Sequence, residues 1–504
     1  MRLAGWIQNY LCLTALAVGV PAIALGGPGP VAAHYHFGGG AWLRGDSNLV
    51  VFNKVFALPS TVRFQKLVAE RAARSLARSL RLATNSAGAS LLTPLLDDLM
   101  KTESLGDFDS SSGNPLSFVL AVRLNGTRAQ LWQNNLSKAF GGVGEKFGTA
   151  QFNGLRWPKE GLPPFWMVTA QEWLLVGRGD DLWPVRDEYL QQIRQRGQPG
   201  SALGENWGEG EIDGMRLEGW PRLLKPARLK IQLSTKAGNL QIDARALYPR
   251  AVPWNSESWQ LPKELIRTPL ISFTAAQNPA AFLNQEPFFS RLDGNPLTNQ
   301  FYAWALGQMP FQTYAAWPVA NASNILEKLS KEASARFNPD LTNFNRTQLA
   351  WLQNNRMLIL AGLRVMTPAL EVAQDDHRPF LLMSMFPLLP RHDPAPAQLW
   401  QQIGGRTNLV YYDWELTGPR LQQWRLLGHI LFDRRGAHSD DMFDATRIED
   451  KWLGELVSAL GSCVTEITQV SPQELSFVRN APLGATGIEI FWFCAWLSGA
   501  SFGP

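Results

Sequence analysis

Histidine and cysteine carry much of the metal and redox chemistry available to a protein, and this 504-residue chain has six of the first and three of the second. Two of the histidines, His34 and His36, follow directly on Val31-Ala32-Ala33, a small-residue tripeptide of the kind that ends a secretory signal. A cut after Ala33 would make His34 the new terminus. Its free α-amine and its imidazole then form a bidentate nitrogen chelate, and a further imidazole such as that of His36 makes a set suited to copper. His377, His392 and His438 stand beside acids in polar segments, and no two of the six histidines have the i, i+4 spacing of a helical zinc site. These read as solvated turn residues.

The cysteines fall at positions 12, 463 and 494, too few for a thiolate zinc cluster. Cys12 lies inside the N-terminal apolar segment. Cys463 and Cys494 flank a hairpin near the C-terminus, and in an oxidising compartment a disulfide between them would close a loop of about 30 residues. The alternative is a pair of buried thiols acting as small apolar groups.

Other constellations are missing. H-E-x-x-H and C-x-x-C do not occur, residues 141–146 (GGVGEK) lack the Gly-Lys-Ser/Thr ending of a phosphate loop, and residues 208–214 (GEGEIDG) miss the dinucleotide spacing. Ser501 sits in a G-x-S-x-G, but the chain ends too soon for the helix that a nucleophile elbow needs. The acidic doublets Asp97-Asp98, Asp180-Asp181 and Asp375-Asp376 diverge on helix or strand, so they read as caps and turns rather than as a facing catalytic pair. No catalytic residue, no cofactor and no cofactor-binding residue is assigned.

The elements around these residues read as α+β. Hydrophobic residues make up 45% and charged residues 18%, enough for buried cores in a chain too long for one. A net charge of +4 argues against a nucleic-acid partner. Twenty tryptophans are the compositional outlier; Trp132, Trp173, Trp351 and Trp452 fall in periodic apolar segments and are expected in the core. Residues 11–25 form an apolar run too short to span a bilayer comfortably, so residues 1–33 are expected to be a signal peptide or a signal anchor. Residues 48–56 (NLVVFNKVF) read as a strand, and apolar steps of three and four place a helix over 62–83. Its parallel arginine stripe is a solvated face or a contact with anionic lipid. Helices are expected at 91–100, 128–140 and 184–196, a polar loop at 107–115, a strand at 116–124 and a hairpin at 165–177.

The wording of that hairpin, Val168 to Val176, returns from Val470 to Val478, with a weaker copy at 352–360. The division expected is a first α+β unit at 41–200, a connector with two extra strands at 201–265, a second unit at 266–402 and a third, partial unit at 403–504. Each is expected to be a mainly antiparallel or mixed sheet with helices on one face, in tandem pseudo-repeat. The second unit is read as strand 269–275, helix 279–292, strand 313–319 and helix 322–337.

Taken together, the N-terminal apolar segment, the strand openings at Asn48 and Asn408 and the hairpins at Gln171-Glu172 and Gln473-Glu474 loosely resemble uncharacterised exported bacterial proteins built of repeated strand–helix–hairpin units. That resemblance implies architecture and no activity. The expected role is a non-catalytic binding or scaffolding module of the cell envelope, periplasmic or anchored to the inner membrane. Its expected partners are the membrane, through an uncleaved N-terminal segment, and an envelope protein or glycan. The alternatives are an exported glycan hydrolase whose carboxylates converge through the fold and a small-ligand carrier using the groove between units.

Overall fold

A computed structural model describes residues 32–498 apart from 81, 83–85, 110–116, 150–151, 180–181, 215–225, 253–256, 279–298, 308–311, 342–347, 353–356, 363–365, 388–392 and 433–447. In chain order, β1 (Ala32–Phe37) leads through α1 (Gly40–Gly45), α2 (Val50–Phe56), α3 (Pro59–Ser79) and α4 (Ser86–Lys101) to β2 (Ser104–Asp109) and β3 (Ser117–Arg123). Helix α5 (Gly126–Ala139) precedes β4 (Glu145–Thr149), β5 (Phe152–Lys159), β6 (Leu162–Ala170) and β7 (Trp173–Arg178). Then come α6 (Trp183–Arg196), β8 (Gly208–Ile212) and the hairpin β9 (Arg228–Lys236) with β10 (Asn239–Leu247).

The chain continues through β11 (Leu270–Gln277), β12 (Gln300–Leu306), β13 (Thr313–Pro318) and α7 (Ala322–Leu341). Four strands follow, β14 (Gln348–Leu352), β15 (Met357–Ala361), β16 (Ala369–Asp375) and β17 (Arg378–Ser384). Last are α8 (Ala397–Ile403), β18 (Leu409–Leu416), α9 (Thr417–Phe432), α10 (Ile448–Ala459), the hairpin β19 (Ser462–Ser471) with β20 (Glu474–Ala481), and α11 (Gly487–Ser498).

The twenty strands of the described residues belong to one sheet, and every pairing among them is antiparallel. From one edge the order is β4, β5, β6, β7, β3, β2, β1, β8, β9, β10. Strand β10 then pairs with β20, and the order runs on through β19, β18, β11, β12, β13, β17, β16, β15 to β14 at the far edge. The hairpins around Gln171-Glu172 and Gln473-Glu474, alike in wording, sit in different places: β6 and β7 lie near the β4 edge, β19 and β20 at the centre.

Helices cover both faces, not one. On one face Phe118, Leu120 and Val122 of β3 pack with α3, α4 and α5, while Ala315 and Trp317 of β13 pack under α7. Because side chains alternate along a strand, Val119 and Ala121 point the other way, to Tyr189, Leu190 and Ile193 of α6. On that same second face Tyr314 and Ala316 meet Leu399 and Ile403 of α8. Helices α10 and α11 extend the first face through a layer containing Phe64, Trp452, Leu453 and Phe491. Trp132, Trp173 and Trp452 are buried as expected, whereas Trp351 lies on edge strand β14 and is exposed.

The segment expected as a strand at 48–56 is instead helix α2. Leu49, Phe52 and Val55 are spaced by three, and all three are buried, two in the sheet core and one against α3 and α10. Burying each stabilises by roughly 1.5–3 kcal/mol, more than the ~1 kcal/mol span of strand propensity. Asn408, by contrast, precedes strand β18, so the two openings are not equivalent. The loop expected at 107–115 begins inside β2. The helix expected at 279–292 and most of the N-terminal segment lie outside the described residues. Among the described residues no helix is long and apolar enough to cross a membrane.

Candidate functional site

Between α6 and α8 the second face of the sheet carries no apolar layer among the described residues. Strand β9 alternates without a break there: Leu229, Ile231 and Leu233 are buried in the core, while Arg228, Lys230 and Gln232 are exposed. The pairings carry that polar row across the sheet centre, through Glu209 and Glu211 of β8, Gln241, Asp243 and Arg245 of β10, Ser476, Val478 and Asn480 of β20, and Glu466 and Thr468 of β19. None of these side chains is buried. An antiparallel sheet with one packed and one wet face gives this pattern.

The charges on this surface are mixed and largely answered. Glu211 takes Arg228 at 2.8 Å and Lys230 at 3.6 Å. Arg406 donates to both oxygens of Glu466, at 2.9 and 2.8 Å. Asn239 donates to Asn480 across the β10–β20 seam at 2.7 Å, and Gln241 donates to Asp243 at 2.6 Å. Arg245, 72% exposed, stands 3.6 Å from Glu474.

Towards α6 the same face holds the two histidines. His34 Nδ1 lies 3.0 Å from Asp107 Oδ1, and Asp107 also accepts the Tyr189 hydroxyl from α6. That hydrogen bond, reinforced by the charges of Asp107, Glu209 and Glu211, raises the imidazole pKa above its ordinary value. Burial and then the Asp107 charge push the Tyr189 phenol up. His36 Nε2 lies 3.0 Å from Glu103, and this bond, with help from Arg123, holds the Glu103 carboxyl below the ordinary range. The arrangement can share a proton between His34 and Asp107. As potential metal ligands, His34 and His36 each face a carboxylate rather than each other, and among the described residues no group of three His, Cys, Asp or Glu is placed to hold a metal.

The first face has its own polar cluster, in which Glu415, Arg479 and Glu489 are buried and Asp413 and Arg420 half-buried. Asp413 and Glu415 are two apart on β18 and therefore point the same way, under α9 and α11. Thr274 donates to Asp413 at 2.6 Å, and the Gly487 amide donates to Glu415 at 2.6 Å. Arg479 of β20 donates to Thr465 at 3.0 Å and to Glu489 at 2.8 Å. Glu489 is also half of a capping box: it accepts the Thr486 amide at 2.8 Å, and its own amide donates to the Thr486 hydroxyl at 3.4 Å. Arg420 of α9 donates to Gln423 at 2.7 Å and lies over the Trp424 ring.

Burial, then the Asp413 charge, pushes the Glu415 carboxyl up to about 7. Burial likewise raises Asp413 and lowers Arg420. No isolated motif marks these five residues. The legible signals are an acid–x–acid step inside an apolar strand (YYDWEL) and the Thr486-x-x-Glu489 box.

Cys463 at the start of β19 and Cys494 in α11 both carry free, fully buried thiols, and burial raises both well above the ordinary value. The doublet Asp97-Asp98 diverges: Asp98 is buried and accepts from Arg128 and Trp132, while Asp97 pairs outside with Lys101; Asp180 and Asp181 lie outside the described residues. Asp376 and His377, with φ of 48° and 62°, make the tight β16–β17 turn. His392, His438 and Ser501 lie outside the described residues. Compared with protein-family models, curated proteins and solved structures, the chain matches none.

Proposed function

We propose that this protein is a non-catalytic binding or scaffolding module of the bacterial cell envelope, exported and either released or held at the inner membrane by its N-terminal segment. Its partner is an envelope polypeptide seated on the polar face of the central strands β8, β9, β10, β20 and β19. The observation that carries this reading is the alternation of those strands, buried on one side and wet on the other across the middle of the sheet. Among the described residues this face carries mixed charges and amide side chains and no exposed aromatic platform, which matches the chemistry of a polypeptide surface better than that of an apolar ligand.

The order of strands supports a duplicated architecture. Each series, β1–β10 and β11–β20, reads 4-5-6-7-3-2-1-8-9-10 from its own edge. A helix follows the third and the seventh strand of each, α5 with α6 and α7 with α8. At the seam, Asp243 and Val478, each the fifth residue of its strand, face one another. A pseudo-two-fold axis there makes the wet face a single surface built from both halves.

A photo-crosslinking residue at Gln232, in the full chain expressed in its own host, tests the binding reading. The expected result is a discrete adduct with an envelope protein from Gln232 and none from Gln130, exposed on α5 across the sheet. Absence of any adduct from Gln232, or equal adducts from both positions, overturns it.

A further inference from the structure

We propose that the carboxyl cluster beneath α11 is a proton-binding site that sets how firmly this C-terminal helix is seated on the sheet. Three carboxyls, Asp413, Glu415 and Glu489, share a largely buried layer with two guanidiniums, Arg420 and Arg479; Glu415, Glu489 and Arg479 are buried and the other two half-buried. Fully ionised, the layer would hold one negative charge without a partner. Burying an unpaired charge is costly enough that such a group takes up a proton instead.

Glu415 is the residue that takes it. Glu489 has Arg479 at 2.8 Å and the Thr486 amide, and Asp413 has the Thr274 hydroxyl. Glu415 has the Gly487 amide and the Asp413 charge beside it. The other groups facing it are Thr417 and Arg420 of α9, Ser272 of β11 and Cys463 of β19. Helix α10 turns Glu449 and Asp450 towards Cys494 instead, and Asp450 is already held by Arg425 at 2.6 Å and His429 at 3.2 Å.

Glu415 also touches the helix it controls, since its partner amide is the first residue of α11. Its carboxyl titrates near 7 in the seated state, against 4.5 for the free group. The protonated form therefore favours seating. That contribution is full below the free value and is lost as the pH rises through about 7. With those two values, opening of α11 should increase about tenfold between about pH 6 and pH 8.

Hydrogen exchange of the 487–498 peptide in the full chain, normalised at each pH to the denatured chain, tests this. Wild type should show the rise and Glu415→Gln, which stays neutral, should not. A flat wild-type profile, or the same rise in Glu415→Gln, overturns the proposal. If Glu415→Gln does not fold, Asp413→Asn decides the matter. Removing that neighbouring charge must move the rise to lower pH, and a rise that stays in place overturns the proposal.

Discussion

Asp97 and Asp98 show how far one position changes the worth of a carboxylate. Asp98 is buried under α5, accepts from Arg128 at 2.8 Å and takes the Trp132 indole at 2.8 Å. Asp98→Ala leaves both donors without that partner, and urea unfolding should show a loss of about 2–3 kcal/mol. Asp97 makes an exposed i, i+4 pair with Lys101, and Asp97→Ala should cost less than about 0.5 kcal/mol. Equal losses would contradict the burial described. His34 gives a pH-dependent counterpart. Its pKa is raised by Asp107, so the bond stabilises fully below the ordinary histidine value and is lost as the pH climbs through the raised one. The Tm gap between wild type and His34→Gln should therefore be wider at about pH 5.5 than at about pH 8; a gap that is constant or grows with pH would count against the bond.

Among the elements, those with a long periodic face were legible. Helix α3 shows its apolar steps, α5 opens on Asn125, whose side chain accepts the Arg128 amide, and β6 with β7 reads as the hairpin it is. Short strands with few β-branched residues were not: β1 (AAHYHF), β2 (SLGDFD) and β8 (GEGEI) have no propensity signal and are held by neighbours on both sides. Helix α2 failed in the other direction, since VVFNKVF has strand composition and only its buried i, i+3 positions make it helical. The ionic layer under α11 was hidden because its members come from β18, β20, α9 and α11 and meet only when the sheet closes around them. Close packing between strands also sets glycine positions. A Cβ at Gly177 of β7 would come within 2.2 Å of Trp166 and 2.6 Å of the Phe118 carbonyl. Gly177→Ala should cost at least about 1–3 kcal/mol of stability, whereas Gly126→Ala, which meets open space, should be nearly neutral or mildly stabilising. Equal Tm values for the two variants would show that β7 tolerates more room than this.

At the scale of the whole molecule, the twenty strands of the described residues form one antiparallel sheet that runs from β4 to β14, with a seam at β10–β20. The seam joins the proposed halves by backbone hydrogen bonds, so the middle of the sheet is a continuous floor with helices beneath it. The wet side of that floor is where the proposed polypeptide partner sits, and its charges are spread over strands from both series. Lys230 and Arg245 are two solvent-exposed cations on it, at 51% and 72% exposure, and neither supports the core. The direct measurement is adduct formation from the photoprobe at Gln232 in a chain that also carries Lys230→Glu and Arg245→Glu. The expected result is loss of the adduct with Tm unchanged to within about 2 °C, because exposed pairs contribute little to folding. An adduct of undiminished yield would contradict the assignment of this face as the binding surface.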